Sequence, residues 1–188
     1  GVAPSNEAAR LPAAQGLQAI VSGSCSVATN QQVMDFIKAG KPALAIDPLR
    51  IAAGVDVAAE ALAWAEGHIG QGPVLVYSTA EPSAVRAIQG KLGSEKAGAM
   101  VEETIAAIAR GLVQRGVRQL IVAGGETSGA CVQALGITQM RIGAQIDPGV
   151  PWCHAVAPDA KDGLHITLKS GNFGSTDFFT KAFAQLQA

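Results

Sequence analysis

The chain has few charged residues, few aromatic residues and no long apolar run. Charged residues make up 15% and aromatic residues 4% of its 188 residues, while apolar residues reach 48%, a balance typical of a folded, soluble chain. A formal net charge of −1 argues against a general nucleic-acid binder, because such a protein needs a basic face to neutralise phosphates. No apolar run approaches the roughly 20 residues that a membrane-spanning helix requires. We therefore expect one domain of ordinary size, with neither nucleic acid nor a membrane as its partner.

Cysteine is scarce, and its spacing disfavours two common uses of this residue. Cys25, Cys131 and Cys153 are odd in number, lie far apart and form no CxxC pair. This spacing argues against a disulfide framework and against a zinc site. We expect a cytoplasmic protein in which at least two of the three cysteines are small buried hydrophobic residues.

The start of the chain lacks an initiator methionine and the apolar core of a signal peptide. Because this stretch is rich in alanine and proline, we interpret residues 1–15 as a linker. Residues 16–188 then form the folded domain, and we interpret the chain as a piece of a longer protein.

Apolar runs alternate with helix-like segments over the first two thirds of the chain. Buried strands are predicted at residues 16–22, 42–47, 73–79 and 118–125. The alternation predicts parallel strands joined by right-handed crossovers, and the continuous apolar character of the runs predicts helices on both faces. In the last third, short turns separate the strand-like segments TQMRIGAQI, WCHAVAP and LHITLKS, which predicts antiparallel neighbours. The predicted fold is therefore a three-layer α/β/α domain with a largely parallel sheet extended by antiparallel strands.

Three local details accompany this fold. Thr29 is predicted to cap the first helix. Asp47-Pro48 is interpreted as a turn after the second strand. The alternating pattern of LHITLKS predicts that one face of this strand is less buried than the other.

Three predicted strand ends are rich in small polar residues. They are SGSCS at 22–26, GGETSG at 124–129 and KSGNFGS at 169–175. The carboxyl ends of parallel strands and the helix N-termini beside them form the usual ligand crevice of an open α/β sheet. Amide groups without an intrahelical partner and the helix dipole favour an anion there. One such stretch alone is more often a tight turn with a helix cap, but three in one domain favour a ligand site.

The stretch GGETSGACV lacks the lysine that a phosphate-binding P-loop carries. Ala130 and Cys131 stand where the pattern GxxxxGK[ST] requires lysine and a hydroxyl residue. The GxGxxG fingerprint is also absent, which disfavours a dinucleotide-dependent oxidoreductase. Lys169 is the best replacement cation, since its strand could lie beside that of LIVAGG. A solvated lysine at a strand end is the alternative interpretation of Lys169.

Glu126 is the acidic residue within the second of these stretches. It could orient a water bound to Mg²⁺ or accept a hydrogen bond from a ribose hydroxyl. Alternatively, Glu126 is a helix N-terminal carboxylate that the dipole stabilises by under about 1 kcal/mol.

Taken together, SGSCS, AGGETSGA and LKSGNFG followed by DFF resemble the C-terminal nucleotide-binding domain of the four-carbon acid sugar kinases, over residues 19–183. The resemblance implies that the domain binds ATP with Mg²⁺ within a kinase that phosphorylates a hydroxyl of a tetronate or oxo-tetronate. The residues that would contact the nucleotide by this resemblance are Ser22, Ser24, Gly124, Gly125, Glu126, Thr127, Ser128, Gly129, Lys169, Ser170, Gly171 and Asn172.

Members of that family are much longer than this chain. Their N-terminal domain supplies most of the sugar-acid site, and the resemblance places the catalytic base there too. No catalytic residue or protein metal ligand is therefore assigned in this chain, and the isolated domain is expected to be inactive. Its expected partners are that N-terminal domain, the sugar acid and, as an open alternative, a second copy of itself. A non-catalytic regulatory module that binds a nucleotide or another anion is the competing interpretation.

Overall fold

The computed structural model describes residues 10–78, 90 and 93–186 of the chain, and its centre is one β-sheet. The strands are, in chain order, β1 (Leu17–Ser22), β2 (Ala43–Ala45), β3 (Val74–Tyr77), β4 (Val117–Ala123), β5 (Met140–Asp147), β6 (Val150–Ala157) and β7 (Ala160–Lys169). The α-helices of the described residues are α1 (Val27–Lys38), α2 (Pro48–Ala52), α3 (Val57–Glu66), α4 (Ser94–Gln114), α5 (Gly125–Ala134) and α6 (Phe178–Gln185).

The sheet has seven strands in the order β2-β3-β1-β4-β7-β6-β5. The pairs from β2 to β7 in this order are parallel, whereas β6 pairs antiparallel with both β7 and β5. This arrangement confirms the predicted parallel sheet with an antiparallel extension. It also confirms that the strand ending in Lys169 lies beside the strand of LIVAGG, because β7 is the parallel neighbour of β4.

Helices cover both faces of the sheet and create two apolar cores. On one face, α3 and α4 bury Ala61 and Ile108 together with Cys131 of α5. On the other face, α1 buries Phe36 and α6 buries Phe178. Burying one large apolar side chain stabilises the fold by about 1.5–3 kcal/mol, so the two cores hold the sheet between its helices. The three-layer α/β/α prediction is confirmed.

The second predicted strand is shorter than expected, and a helix follows it. β2 has three residues, and Asp47 caps the short helix α2 by accepting a hydrogen bond from the Leu49 amide at 2.8 Å. Pro48 occupies the first helical position, where its fixed φ and missing N–H suit a helix start. The interpretation of Asp47-Pro48 as a simple turn was wrong.

Two further local predictions were wrong. Ser26, not Thr29, caps α1, because the Ser26 Oγ accepts a hydrogen bond from the Thr29 amide at 3.2 Å. Strand β7 is buried on both faces from Gly163 to Thr167, although its sequence alternates. The reason is its central position between β4 and β6, with helices or chain segments on each side.

The end of the predicted linker is packed on the domain. The Leu11 side chain lies against Gly143 of β5, and the Nε2 of His165 is 3.0 Å from the Pro12 carbonyl oxygen, within hydrogen-bond distance. Residues 1–9 of this linker, and the last residue of the predicted strand 73–79, lie outside the described residues.

The three cysteines are all free, with Cys131 and Cys153 buried and Cys25 exposed, which confirms the prediction for at least two of them. Among the helices that the structure describes, none has both the length and the apolar character needed to cross a membrane.

Candidate functional site

The three polar strand ends meet at one edge of the sheet. We call them the serine loop (22–26), the glycine loop (124–129) and the lysine loop (169–175). They follow β1, β4 and β7, which are adjacent and parallel. The Gly23 amide donates to the Ala123 carbonyl at 3.1 Å, and the Gly124 amide donates to the Lys169 carbonyl at 2.8 Å. These two backbone hydrogen bonds therefore connect the serine loop to the end of β4 and the glycine loop to the start of the lysine loop.

Glycines allow the loops to pack against one another without side chains between them. A Cβ atom at Gly23 would overlap Oγ1 of Thr127, and one at Gly171 would lie 2.6 Å from Oγ of Ser24. Gly124 adopts a φ of 125°, which side chains rarely tolerate. Close approach thus accounts for Gly23 and Gly171, and close approach together with backbone conformation accounts for Gly124.

Helix α5 begins in the glycine loop with free amide groups. Gly124 is its N-cap, and no side chain of the described residues caps it. Thr127 and Ser128 are buried, and Ser128 Oγ donates back to the Gly124 carbonyl at 2.6 Å. Gly125 and Glu126 are exposed. The first-turn amides are therefore available to an anion, and the helix dipole favours one there.

Lys169 lies underneath the lysine loop and not on its surface. The residue is 0% exposed. Its Nζ donates hydrogen bonds to Thr29 Oγ1 at 2.9 Å and to the carbonyl oxygens of Ser170 at 3.1 Å and Gly171 at 3.2 Å. Burial lowers the pKa of this ammonium to about 8, since no carboxylate among the described residues pairs with it. The interpretation as a solvated lysine was wrong, and direct contact with a phosphate stays a prediction.

Helix α1 holds the second half of the lysine loop. Gln32 is fully buried, and its Nε2 lies 3.0–3.1 Å from the carbonyl oxygens of Phe173, Gly174 and Ser175. Its Oε1 is buried without a hydrogen-bond partner among the described residues. Because three carbonyl groups face the amide nitrogen, the orientation of this amide is fixed and the loop is attached to α1.

The far end of the lysine loop is attached to the end of β5. Asp147 accepts hydrogen bonds from the Ser175 amide at 2.8 Å and from the Lys181 Nζ at 2.6 Å. Burial alone would raise the pKa of the Asp147 carboxyl, but the hydrogen bonds from Lys181 and Ser175 lower it. The lysine loop is thus fixed on two sides by charged or buried polar groups.

A pair of carboxyl groups lies at the start of α5. Glu102 of α4 is close enough to hydrogen-bond Glu126, and burial together with this contact raises the pKa of Glu102. Two carboxylates that approach each other are stabilised by a shared proton or by a cation. In the described residues, no group of three or more histidine, cysteine, aspartate or glutamate residues could hold a metal ion, so the pair would need ligands of another kind to complete a metal site.

The remaining predicted residues differ in how accessible they are. Ser22 is fully buried at the end of β1, and Ser24 is half-buried beside the lysine loop. Ser170, Asn172 and Gly129 are exposed. The structure therefore brings all the predicted site residues to one edge of the sheet, although some of them lie below its surface.

Several residues of this site escaped the sequence interpretation. Gln32 and Glu102 belong to segments whose sequences predict ordinary amphipathic helices, and neither residue is part of a binding motif. Asp147 begins the stretch DPGVPW, which predicts one of the short turns between the last strands and contains no binding motif.

Comparisons with known proteins identify the family of this chain. A family model described as the nucleotide-binding C-terminal domain matches residues 19–179. The 3-oxo-tetronate kinase of Cupriavidus necator is 54% identical over 96% of this chain and 40% of its own length. For the 3-oxo-tetronate kinase of Pseudomonas fluorescens, the identity is 51%, over 96% of this chain and 41% of its own length.

A crystal structure of a Haemophilus influenzae protein superposes with a TM-score of 0.86 at 37% identity, covering 94% of this chain and 42% of that one. This chain spans about 40% of the length of the curated relatives that it matches. The match of the family model and the identity to these relatives show that the chain belongs to the family of nucleotide-binding C-terminal domains.

Proposed function

We propose that the three loops bind ATP, and that the domain is the nucleotide-binding part of a kinase for a four-carbon sugar acid. The observation that carries the proposal is the meeting of three loops of small polar residues at the start of α5, which no side chain of the described residues caps. The relatives named 3-oxo-tetronate kinase support a tetronate or oxo-tetronate as the substrate of the longer protein. The γ-phosphate would pass to a hydroxyl group of this acid.

Each of the three loops would make a different contact with the nucleotide. The exposed amides of the glycine loop, at Gly125 and Glu126, would hold the phosphate oxygens, while Ser24 and the exposed end of the lysine loop would contact other parts of the nucleotide. Phosphoryl transfer needs mainly positioning and charge stabilisation. Backbone amides at a helix start can supply both without a P-loop lysine.

A Mg²⁺ ion fits the carboxyl pair beside these amides. Magnesium is commonly held by one or two carboxylates together with phosphate oxygens and water, and Glu102 and Glu126 provide two carboxyl groups in contact. When bound there, the ion would neutralise charge on the phosphate and on the two carboxyl groups. Glu126 would hold it directly or through a water.

The rest of the reaction requires residues outside this chain. We propose that a substrate domain of the same parent protein binds the sugar acid and supplies the catalytic base, since the chain spans about 40% of its relatives. A homodimer is a further assembly that the parent could form. We also propose a cytoplasmic location, which the proposed use of ATP and the three free cysteines support.

Calorimetry on this domain tests the proposal directly. We expect binding of ADP and ATP, with higher affinity when Mg²⁺ is present, and a smaller gain from Mg²⁺ in the Glu126→Gln variant. The domain alone should not phosphorylate a tetronate, whereas the full parent protein should. Absence of nucleotide binding up to millimolar concentration would refute the ATP site.

The regulatory alternative predicts a different outcome for the parent protein. A non-catalytic module would bind a nucleotide or another anion in the same loops, and the parent would show no ATP-dependent phosphorylation of any tetronate or oxo-tetronate. A kinase assay on the parent with a panel of these acids therefore separates the two functions.

A further inference from the structure

The geometry points to Lys169 as a positioning residue: its buried ammonium and Thr29 turn two consecutive peptide groups of the lysine loop so that the amides of Gly171 and Asn172 face a phosphate. This inference rests on the proposed nucleotide site. It assigns Lys169 a place behind the phosphate-binding surface, whereas a P-loop lysine touches the phosphate itself.

The first step concerns the carbonyl groups of the loop. The Gly171 carbonyl oxygen receives three close donors, at 2.5 Å from Ser26 Oγ, 2.9 Å from Thr29 Oγ1 and 3.2 Å from Lys169 Nζ. The Ser170 carbonyl oxygen lies 3.1 Å from Lys169 Nζ and accepts the Phe173 amide at 3.1 Å. Both carbonyl groups therefore point inward, toward α1 and the ammonium.

The second step follows from the peptide plane. In a trans peptide the carbonyl oxygen and the amide hydrogen point in opposite directions, and the described residues contain no cis peptide bond. The amide that shares a plane with the Ser170 carbonyl belongs to Gly171, and the next belongs to Asn172. Both N–H groups consequently point away from Lys169, and among the described residues neither donates to another backbone group.

The third step concerns what these amides can reach. Gly171 is half-buried and Asn172 is exposed, and a Cβ atom at Gly171 would lie 2.6 Å from Ser24 Oγ of the serine loop. Successive amides aimed at one side form a concave site for an anion. Because the glycine loop is tied to the lysine loop through the Gly124 amide and the Lys169 carbonyl, both sets of amides belong to one edge of the sheet. A phosphate group of the nucleotide is the ligand that this chemistry recognises.

The burial of Lys169 makes direct contact with a phosphate unfavourable. Its Nζ would have to leave three oxygen partners that lie within 3.2 Å. As a fixed cation, it instead keeps two carbonyl oxygens pointing inward. If they pointed outward, these oxygens would repel a phosphate from the loop surface. Thr29 acts with it, because its hydroxyl accepts from the ammonium and donates to the Gly171 carbonyl.

Two nearly isosteric variants test the inference, Lys169→Met and Thr29→Val. For each folded variant we would measure ADP affinity by calorimetry and record the amide resonances of Gly171 and Asn172 by NMR, with and without ADP. In the wild-type domain, both amide protons should move downfield when ADP binds, because they gain hydrogen bonds to a charged oxygen.

In Lys169→Met, the two resonances should already differ from wild type before ADP is added, and ADP affinity should fall roughly tenfold or more. Thr29→Val should change the same two resonances and weaken ADP in the same direction, by a smaller factor. Adenosine, which has no phosphate, should lose much less affinity in both variants. Should Lys169→Met fail to fold, the Thr29→Val variant still tests the positioning role.

Two results would overturn the positioning role while leaving the ATP site intact. One is ADP binding that shifts the Gly125 amide but leaves those of Gly171 and Asn172 unmoved. The other is a wild-type ADP affinity and unchanged resonances in Thr29→Val, since a lysine that contacts phosphate directly does not need this hydroxyl. Failure of the proposed function looks different, because ADP would then shift none of these amides.

Discussion

A substitution at Gly125 tests directly where the phosphates bind, because no protein atom lies close to the position that its side chain would take. A Cβ atom at Gly125 has nothing within 4 Å, and its φ is not positive, so the protein itself accommodates a side chain there. Gly125 is also the first residue of α5, beside the amides that lack a cap. The Gly125→Leu variant should therefore fold normally while filling the space proposed for a phosphate.

The expected loss of affinity follows from the number of hydrogen bonds blocked. A hydrogen bond to a charged group contributes about 1.5–3 kcal/mol. Blocking two first-turn amides would therefore cost about 3–6 kcal/mol, which is a loss of roughly a hundredfold or more in ADP affinity. Stability should change by less than about 1 kcal/mol, because leucine is a better helix former than glycine and its side chain meets no protein atom.

The matched control is Gly70→Leu. Gly70 is exposed, has nothing within 4 Å of its Cβ position and lies just before β3, at the opposite edge of the sheet. Calorimetry with ADP and thermal unfolding would be run on both variants. Gly70→Leu should bind ADP as the wild type does. A folded Gly125→Leu protein with wild-type affinity would refute the assignment of the phosphates to the start of α5.

Two other perturbations address the packing beneath the site. Alanine at Gly171 would place a Cβ atom 2.6 Å from Ser24 Oγ and 3.1 Å from Ser26 Cβ, so the free energy of unfolding should fall by about 1–3 kcal/mol. Adding Ser24→Gly should restore part of it in urea denaturation, and an equally large loss in the double variant would contradict this contact. Burial lowers the pKa of Lys169 to about 8 from an ordinary value of 10.5, so the unfolded state binds more protons between these pH values. Because of this residue, the free energy of unfolding should consequently rise with pH in that window by up to about 3 kcal/mol. Denaturation curves should show this rise in the wild type but not in Lys169→Met.

The meeting of the three loops was predictable from sequence because it follows from a rule about sheets. Apolar runs ending in small polar residues identified β1 and β4 to within about two residues and the carboxyl end of β7, although β7 begins at Ala160, four residues before the predicted stretch LHITLKS. Parallel strands bring their carboxyl ends to one edge, and the pairing of β4 with β7 was the single extra assumption. The structure contains that pairing.

The capping errors came from local signals that were present but given the wrong weight. Asp47 followed by Pro48 is a recognised helix start, and the strand-like content of residues 42–47 concealed it. For α1, two hydroxyl residues three positions apart compete as caps. Ser26 caps the helix, and this frees the Thr29 hydroxyl to meet Lys169 and the Gly171 carbonyl.

The burial of Lys169 could not be predicted from its neighbours in sequence. A lysine at the end of a strand is ordinarily solvated, and its oxygen partner Thr29 is 140 positions away in the chain. The same holds for Glu102, whose contact with Glu126 depends on how α4 packs beside α5. Periodicity predicts which face of a helix is polar, but it does not identify the group that the polar face meets.

The missing P-loop lysine now has a physical explanation. A P-loop places its cation on the same helix as the phosphate-binding amides, where it is exposed and follows the phosphate. Here the helix start has no cation of its own, and the lysine of a neighbouring strand is buried beneath a second loop. Its charge acts by orienting peptide groups, and the surrounding protein shields a buried charge from salt much more than an exposed one. Phosphate binding at the lysine loop should therefore depend mainly on the packing of α1 against that loop, which is where Thr29 and Gln32 lie.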